Sequence, residues 1–218
     1  MSFYNETSGR SIFPTPTIGV VGILDAWERH VGSHFPDADL PIYLLGPVAG
    51  DIAASEWLAL RRGIEAGTPP AVDLALERGL HELLAEGVAK GWINSAHDIS
   101  AGGLAVALAE SCFGGPGRSR VGAAVSAPPE SEVSREAFLF GEAAGRVLVT
   151  TGNSEALEAA AGARDLPCRE IGRTGGERLA IGPGKAGPET SPRLWIDTEV
   201  ERLEALWRRA IPRRLENG

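Results

Sequence analysis

Short apolar segments alternate with amphipathic segments along most of this 218-residue chain, and this alternation limits the fold more than any other feature. Ile42–Leu45 is an apolar run of strand length that is closed by Gly46-Pro47. Residues 70–90 instead repeat apolar side chains at the three- and four-residue spacing of a helix with one buried face. Strand and helix patterns mix in this way to the C-terminus, which predicts an α/β (α+β) fold.

The same criteria predict the remaining elements. Further helices are predicted over 56–62, 103–112, 132–140 and 153–161 and from residue 198 onward, and strands over 18–24, 92–100, 121–126, 146–151, 167–172 and 177–182. The last two strands form a pair around Thr174-Gly-Gly. In the final helix, a capping box is predicted at Thr198 and Glu201. The side chains predicted to face inward there are Val200, Leu203, Leu206, Trp207 and Ala210.

The N-terminal region predicts a domain boundary. Ile18–Leu24 is read as a buried strand, and such a strand needs partners that the few residues before it do not supply. We therefore expect the chain to be truncated. Residues 27–40 are polar and are predicted to link two domains, 1–38 and 39–218. His30 and His34 within this linker are not expected to bind a metal, because Gly32 separates them and a third ligand is lacking.

Composition excludes several classes of function. The net charge of −8 and the pI of about 5.1 argue against nucleic-acid binding, and the arginines at 208, 209, 213 and 214 are read as a solvated helix end. The longest apolar run is too short to span a bilayer, and residues 1–10 lack an apolar signal core. The sequence thus predicts a cytoplasmic protein without membrane contact, and Cys112 and Cys168 are expected to be reduced thiols.

Ser95-Ala-His-Asp-Ile-Ser-Ala-Gly-Gly-Leu104 is the segment with the clearest chemical meaning. Paired glycines at a strand-to-helix turn let the backbone approach a ligand, and the free N–H groups at a helix start favour an anion. Ser100, Gly102 and Gly103 are therefore candidates for binding a phosphate. An equally supported alternative is that Ser100 caps the helix while the glycines pack against a neighbour. The segment is not a P-loop, because it lacks the Gly-Lys-Ser/Thr ending.

Other polar residues have less specific surroundings. His97 and Asp98 are adjacent on a strand and point to opposite faces, so positioning roles are favoured over a catalytic pair. Arg146, in Glu142-Ala-Ala-Gly-Arg146, is suited either to clamping a phosphate or carboxylate or to an exposed ion pair. Ser2 and Asn5 are small polar groups in a loop. The sequence predicts no catalytic residue and no metal ligand.

Four segments in sequence order resemble phosphoribosylformylglycinamidine synthase (formylglycinamide ribonucleotide amidotransferase), a family of the aminoimidazole ribonucleotide synthetase-like superfamily. Ser2-Phe-Tyr-Asn-Glu-Thr resembles the end of the family motif G-N-V-S-[LF]-Y-N-E-T, and Ile12 to Gly22 resembles the strand that follows it. Ser95 to Glu110 is similar to S-A-H-D-[VI]-S-D-G-G-L-A-V-A-L-A-E. Phe140 to Arg146 resembles F-[SG]-E-[SA]-x-[GS]-R.

The resemblance implies a reaction and a set of partners. Members of this family use ATP and magnesium to convert formylglycinamide ribonucleotide and glutamine-derived ammonia to formylglycinamidine ribonucleotide in purine biosynthesis. They pair an ATP-binding domain with a glycine-rich partner domain, in which a mixed sheet is packed with helices. Residues 1–38 then correspond to the end of the former and 39–218 to the latter. The implied partners are the remaining synthetase domains, a glutaminase subunit and a small accessory subunit.

The resemblance also assigns residues. Ser2 matches a serine that contacts substrate, and Glu142 to Arg146 falls in a stretch whose counterpart in the first repeat of the family contacts substrate. Independently of the resemblance, we expect Asn5 to have a positioning role like those of His97 and Asp98. Ala101 stands where the family has an acidic residue, and Ala143 and Ala144 have lost polar atoms. The Gly-Asn pair, the first ATP-binding domain and most metal ligands of the family are absent, so ATP and magnesium are expected to bind mainly elsewhere. We expect the isolated chain to be inactive.

Two alternatives remain open at this point. A related ATP-dependent enzyme, such as selenophosphate synthetase or aminoimidazole ribonucleotide synthetase, carries different residues at the Y-N-E-T and S-A-H-D-[VI]-S signatures. A free-standing, non-catalytic binding or assembly module would be favoured by an exposed apolar face around Ile18–Leu24.

Overall fold

The computed structural model describes residues 6–7, 9–11, 17–24, 26–115, 118–129, 133–184 and 194–216. The strands are β1 (Glu6–Thr7), β2 (Arg10–Ser11), β3 (Pro41–Leu45), β4 (Ile93–Asp98), β5 (Ala123–Ala127), β6 (Val147–Thr151), β7 (Cys168–Thr174), β8 (Arg178–Pro183) and β9 (Ile196–Glu199). The α-helices are α1 (Glu56–Arg62), α2 (Leu74–Lys90), α3 (Gly103–Cys112), α4 (Arg135–Phe140), α5 (Ser154–Gly162) and α6 (Val200–Glu216), and Trp27–Arg29 forms a 3-10 helix. Within these residues, none of the helices combines the length and apolar character needed to cross a bilayer.

Seven strands form one mixed sheet in the order β4-β6-β3-β7-β5-β8-β9, and β1 and β2 form a separate two-stranded ribbon. All neighbours in the large sheet are antiparallel except β5 and β8, which are parallel. This architecture confirms the predicted α/β class with a mixed sheet packed by helices.

The interior strand β3 shows why its sequence is a continuous apolar run, since each of its five residues is buried. Ile42 and Leu44 join the core cluster that includes residues of α3, α4 and α6. Tyr43 and Leu45 point to the other face and join the cluster formed with α2 and α5. The sheet is therefore covered on both faces, and both alternating sets of β3 side chains are apolar for that reason.

Helix boundaries follow the local capping signals. Ser55, Asp73, Ser134 and Asn153 each accept a hydrogen bond from a backbone N–H of the helix that they precede. Gly63 and Gly91 end α1 and α2 in the left-handed conformation. As a result, α1 begins and ends at the predicted residues, and Asp73 caps α2 instead of lying in its first turn. The helix α3 also spans the predicted residues, although it has no side-chain cap.

The prediction of a buried strand at Ile18–Leu24 is wrong. Its side chains are exposed, from 69% at Leu24 to 98% at Val21, and the segment has no regular secondary structure. A strand needs a neighbour for its backbone groups, and no described strand pairs with this segment. Further on, Phe35 is buried and the Ala96 N–H donates to the Gly32 carbonyl, so part of the predicted linker packs on the domain. The boundary after residue 38 stays a prediction.

The C-terminal region differs from expectation in two respects. The strands β7 and β8 are formed as predicted, but β5 lies between them and pairs with both. The last helix, α6, is preceded by the unpredicted strand β9, and its inward face is shorter than predicted. Val200 is buried and Leu203 partly so, whereas every helix residue from 205 to 216 is exposed, including Leu206, Trp207 and Ala210.

Both thiols are free, as predicted. Cys112 is buried in the core, and the loss of hydration there raises the pKa of its thiol to about 12. Burial is also the main reason why the pKa of the Cys168 thiol rises to about 11. Neither group is an activated nucleophile at neutral pH.

Candidate functional site

A cavity of about 580 Å³ brings together most of the predicted site residues that the structure describes. Its lining includes His97, Asp98, Ser100, Glu142 and Arg146. The opposite wall is formed by α2, with Glu77, Leu80, His81 and Leu84. Ser2 and Asn5, which the sequence assigned to substrate contact and positioning, lie outside the described residues.

Sheet pairing explains why two distant segments meet here. The strand β4 ends at Asp98, which pairs with Val147 at the start of the antiparallel strand β6. The pairing continues past both ends, because the Ile99 N–H donates to the Arg146 carbonyl at 3.0 Å. The turn at 99–102 therefore lies beside the loop at 141–146.

Both glycines of the turn adopt positive φ, +83° at Gly102 and +70° at Gly103. A Cβ on Gly103 would lie 2.7 Å from the carbonyl carbon of Phe140, at the end of α4, so this position packs too tightly for a side chain. Close packing thus explains why residue 103 is glycine, in agreement with the alternative in which the glycines of the turn pack against a neighbour. The other half of that interpretation is wrong, since Gly102 and not Ser100 is the N-cap of α3, and the Ser100 hydroxyl donates to Asp98 Oδ2 at 2.5 Å.

Glu142 connects the turn to a second helix. Its Oε1 accepts a hydrogen bond from the Gly102 N–H and another from the Glu56 N–H at the start of α1, both at 2.9 Å. Its backbone also pairs with Asp51 through two hydrogen bonds of 3.0 and 2.8 Å. The Gly102 N–H, which we predicted from the sequence to be available to a phosphate, is therefore bonded to the Glu142 carboxylate.

Arg146 is 2% exposed, so the alternative of an exposed ion pair is wrong. Its Nε donates to the Pro47 carbonyl at 2.9 Å, and its two terminal nitrogens donate to the carbonyls of Gly141 at 2.8 Å and Val48 at 3.2 Å. Burial lowers the pKa of this guanidinium to about 10, which leaves it charged at neutral pH. The side chain ties the loop before β6 to the segment after β3, and its binding of a ligand stays a prediction.

His97 and Asp98 do not form a direct imidazole–carboxylate hydrogen bond. The His97 Nδ1 donates to the backbone carbonyl of Asp98 at 2.7 Å and lies 3.6 Å from its carboxylate. On the other side of the ring, Nε2 lies 3.4 Å from Oε2 of Glu110, whose Oε1 accepts a hydrogen bond from the Trp207 indole. The imidazole is held in place by these contacts, and the positioning roles of His97 and Asp98 stay a prediction.

Sequence reasoning missed three polar residues near the site: Glu77, His81 and Glu110. Glu77 and His81 are four residues apart on α2, with Oε2 and Nε2 separated by 3.8 Å, so helical periodicity could have paired them. Glu110 had no local signal, because its partners His97 and Trp207 come from other elements.

Carboxylates dominate the charge of the cavity, since Glu77, Asp98 and Glu142 line it together with one guanidinium, that of Arg146. Within the described part of the chain, no group of three or more His, Cys, Asp or Glu side chains is arranged to hold a metal ion.

A match to a known family gives the class of protein to which this fold belongs. Residues 38–182 match the family described as AIR synthase related protein, C-terminal domain, and the chain belongs to this family.

Similar curated proteins carry a more particular name. The chain is 40% identical over 220 residues to phosphoribosylformylglycinamidine synthase subunit PurL of Anaeromyxobacter sp. (strain K), covering 97% of this chain and 27% of that protein. It is 44% identical over 188 residues to the subunit of the same name from Thermomicrobium roseum, covering 84% of this chain and 25% of that protein. The chain thus spans about a quarter of the length of these relatives.

Solved structures share the fold. Thermotoga maritima PurL complexed with FGAR gives a TM-score of 0.63 at 20% identity, over 81% of this chain and 30% of that one. The same protein complexed with ATP gives a TM-score of 0.60 at 19% identity, over 81% and 27% of the two chains. E. coli HypE, a hydrogenase maturation protein, gives a TM-score of 0.50 at 16% identity, over 77% of this chain and 52% of that one. At these identities the likeness concerns the fold alone.

Proposed function

We propose that this chain is the C-terminal part of a phosphoribosylformylglycinamidine synthase. In this role it belongs to an ATP-dependent ligase that converts formylglycinamide ribonucleotide and glutamine-derived ammonia to formylglycinamidine ribonucleotide in purine biosynthesis. The observation that carries the proposal is the 40% identity, over 97% of the chain, to a subunit of that name.

Within such an enzyme, the domain forms one wall of the substrate cleft. The cavity beside the β4–α3 turn supports this assignment, because Ser100, Glu142 and Arg146 line it although they come from two segments far apart in sequence. Glu142 also accepts the hydrogen bond of the Gly102 N–H in the turn. His97 and Asp98 position the turn, and Ser2 and Asn5 contribute from the N-terminal segment. No residue of the chain is assigned to catalysis.

ATP and magnesium are proposed to bind mainly to other parts of the enzyme. A protein of the same fold from Thermotoga maritima is complexed with ATP. Among the described residues of this chain, no group of three or more His, Cys, Asp or Glu side chains is arranged to hold a metal ion, which is in keeping with the proposal. Phosphates in such reactions need a cation or cationic side chains beside them. We therefore propose that residues 1–38 end an ATP-binding domain and that 39–218 form the partner domain, a division supported by the family match from residue 38.

The proposed partners are the other synthetase domains, a glutaminase subunit and a small accessory subunit, in the cytoplasm. A similar structure is described as PurLQS from Thermotoga maritima, with a TM-score of 0.57 at 18% identity. Neither a nucleic acid nor a membrane is proposed as a partner, in keeping with the net charge of −8.

A chimeric enzyme tests this function. The matching segment of Anaeromyxobacter PurL is replaced by this chain, and the chimera is expressed in a bacterial strain that lacks its own synthase. We expect growth without added purines, whereas the relative without the segment gives none. A soluble, folded chimera that does not restore growth contradicts the proposal. The isolated chain, given substrate, ATP, magnesium and ammonia, is expected to show no turnover.

A binding or assembly module is the second candidate. The observation that favours it is the exposed apolar segment at Ile18–Leu24, in which Val20 is 91% and Ile23 is 93% exposed. Such a module would associate with partners through this segment and would not restore growth in the chimera.

A further inference from the structure

The N-terminus of α3 has no negative charge from its own sequence. Its N-cap is Gly102, which provides no side-chain hydrogen bond, and its first turn contains no acidic residue. Ala101, the residue before the glycine pair, stands where the resembling family has an acidic side chain. A helix start of this kind has unpaired N–H groups and a positive dipole end, both of which favour an anion.

Glu142 brings a carboxylate to this place from another segment. Its Oε1 accepts a hydrogen bond from the Gly102 N–H, although Glu142 lies 40 residues after Gly102 in the sequence. The same oxygen accepts from the Glu56 N–H at the start of α1, at the same distance of 2.9 Å. One carboxylate oxygen thus satisfies backbone donors at the beginning of two helices.

None of the residues of the short helix α1 is buried, so contacts at its ends contribute much of what holds it in place. Ser55 satisfies the Leu58 N–H from within the same segment. The bond from Glu56 to Glu142 instead joins α1 to the loop before β6, whose backbone already pairs with Asp51. Removing the carboxylate would loosen both α1 and the glycine turn.

We propose that Glu142 is a positioning residue of the cavity, whose carboxylate takes the place of an external anion at the Gly102 turn and holds α1 and α3 in register. A ligand phosphate reaches the Gly102 N–H only by displacing this carboxylate. The neighbouring carboxylate of Asp98, which lines the same cavity, adds to the repulsion of an anion. The inference rests on the proposed function only in treating the cavity as part of the substrate cleft.

The test uses the 218-residue chain and inorganic phosphate as the probe, with the amide resonances of Gly102 and Glu56 followed by NMR. In the wild-type chain we expect phosphate to leave the Gly102 resonance in place. In Glu142→Ala, and to a smaller extent in Glu142→Gln, phosphate binding at Gly102 should become at least about tenfold tighter, because a neighbouring negative charge has been removed. Amide exchange at Gly102 and Glu56 should accelerate in Glu142→Ala, and less in Glu142→Gln, which keeps an acceptor oxygen.

Glu77→Gln is the matched control, because it removes a carboxylate that lines the same cavity but does not bond the Gly102 N–H. It should gain much less phosphate binding at Gly102 than the Glu142 variants, because the Gly102 N–H stays bonded to Glu142. Glu142→Gln preserves the shape of the side chain and keeps the test valid if Glu142→Ala does not fold. The proposal is overturned if the wild type binds phosphate at Gly102 as tightly as the Glu142 variants. It is equally overturned if Glu142→Gln does not bind phosphate at Gly102 more tightly than the wild type does. The same holds if its gain in phosphate affinity is no larger than that of Glu77→Gln. None of these results depends on turnover, so all are independent of the growth of the chimera.

Discussion

Gly103 shows how the absence of a side chain shapes the site. Its φ is +70°, and a Cβ would lie 2.7 Å from the Phe140 carbonyl carbon. We predict that Gly103→Ala lowers the free energy of unfolding by about 3 kcal/mol, because left-handed strain and overpacking both apply. Urea denaturation measures this change.

Gly63→Ala serves as its control. Gly63 has a similar φ of +66°, but no atom lies within 4 Å of the Cβ position. Only the strain remains, so a loss of about 1 to 2 kcal/mol is expected. Equal losses in the two variants would show that the contact with Phe140 is not what requires glycine at 103.

Arg146 is predicted to stabilise the domain whatever its part in ligand binding. Arg146→Met removes the donors that serve the carbonyls of Pro47, Val48 and Gly141, and should reduce the free energy of unfolding by at least about 2 kcal/mol. Arg78→Met is a suitable control, since that side chain is 82% exposed and pairs with Glu82 on the same helix. The control should leave the denaturation midpoint unchanged. An equally small effect in both variants would contradict the structural role of Arg146.

The location of the site could be predicted from the sequence better than the contacts between its residues. The glycine pair and Ser100 were recognisable because their signal lies within ten neighbouring residues. The bond between Glu142 and Gly102 was not, because it spans 40 residues and depends on how β4 and β6 pair. Arg146 was read as exposed or ligand-bound for the same reason, since its three carbonyl partners come from two other places in the chain.

At the scale of elements, the N-terminal half of α6 is held by an ion-pair cluster. Glu204 is 5% exposed and hydrogen bonds to Arg120 and Arg208. The hydrogen bond from Arg120 is the main cause that lowers the pKa of this carboxyl group, and that from Arg208 adds to it. A lowered folded-state pKa stabilises the protein above the unfolded-state value of about 4.3, and this stabilisation is lost as pH falls through the folded-state pKa.

We therefore predict that Glu204→Gln lowers the free energy of unfolding by about 1 kcal/mol at pH 7, because two charge-assisted hydrogen bonds with half-exposed partners are weakened. The difference from the wild type should shrink as pH falls below about 4. Chemical denaturation between pH 7 and pH 3 measures it. The exposed Glu65→Gln is the control. A difference that grows toward low pH would contradict the assignment.

Elements with local signals were predicted well, and those that depend on distant partners were not. The helix α1 has Ser55 before it and Gly63 after it, and its ends follow from these two residues. Ile18–Leu24 has the composition of a strand, but composition does not provide a neighbouring strand. The four residues of β9 include two acids and show no apolar alternation, so only pairing with β8 reveals them. The position of β5 between β7 and β8 likewise has no sequence signal.

At the scale of the whole molecule, the structure predicts where substitutions are tolerated. Val21 and Ile23 are 98% and 93% exposed, so Val21→Ser together with Ile23→Ser should change the free energy of unfolding by less than about 0.5 kcal/mol. Leu44→Ala, at a position 1% exposed in the interior strand β3, should cost about 2 to 5 kcal/mol. Thermal and urea unfolding of the double variant and of Leu44→Ala measure the two changes. A loss in the double variant as large as that in Leu44→Ala would show that residues 17–24 pack on the domain.

The position of β3 in the interior of the sheet, between β6 and β7, has a consequence for protein synthesis. Ile42 pairs with Thr150 on one side and with Gly172 on the other, so both neighbours of β3 are made long after it. At a translation rate of roughly 5 to 20 residues per second, roughly 5 to 25 s pass between the synthesis of β3 and that of β6 and β7. During that time a strand that is apolar on both faces has no partner in the sheet. The nascent chain therefore depends on protection from aggregation until β7 has emerged.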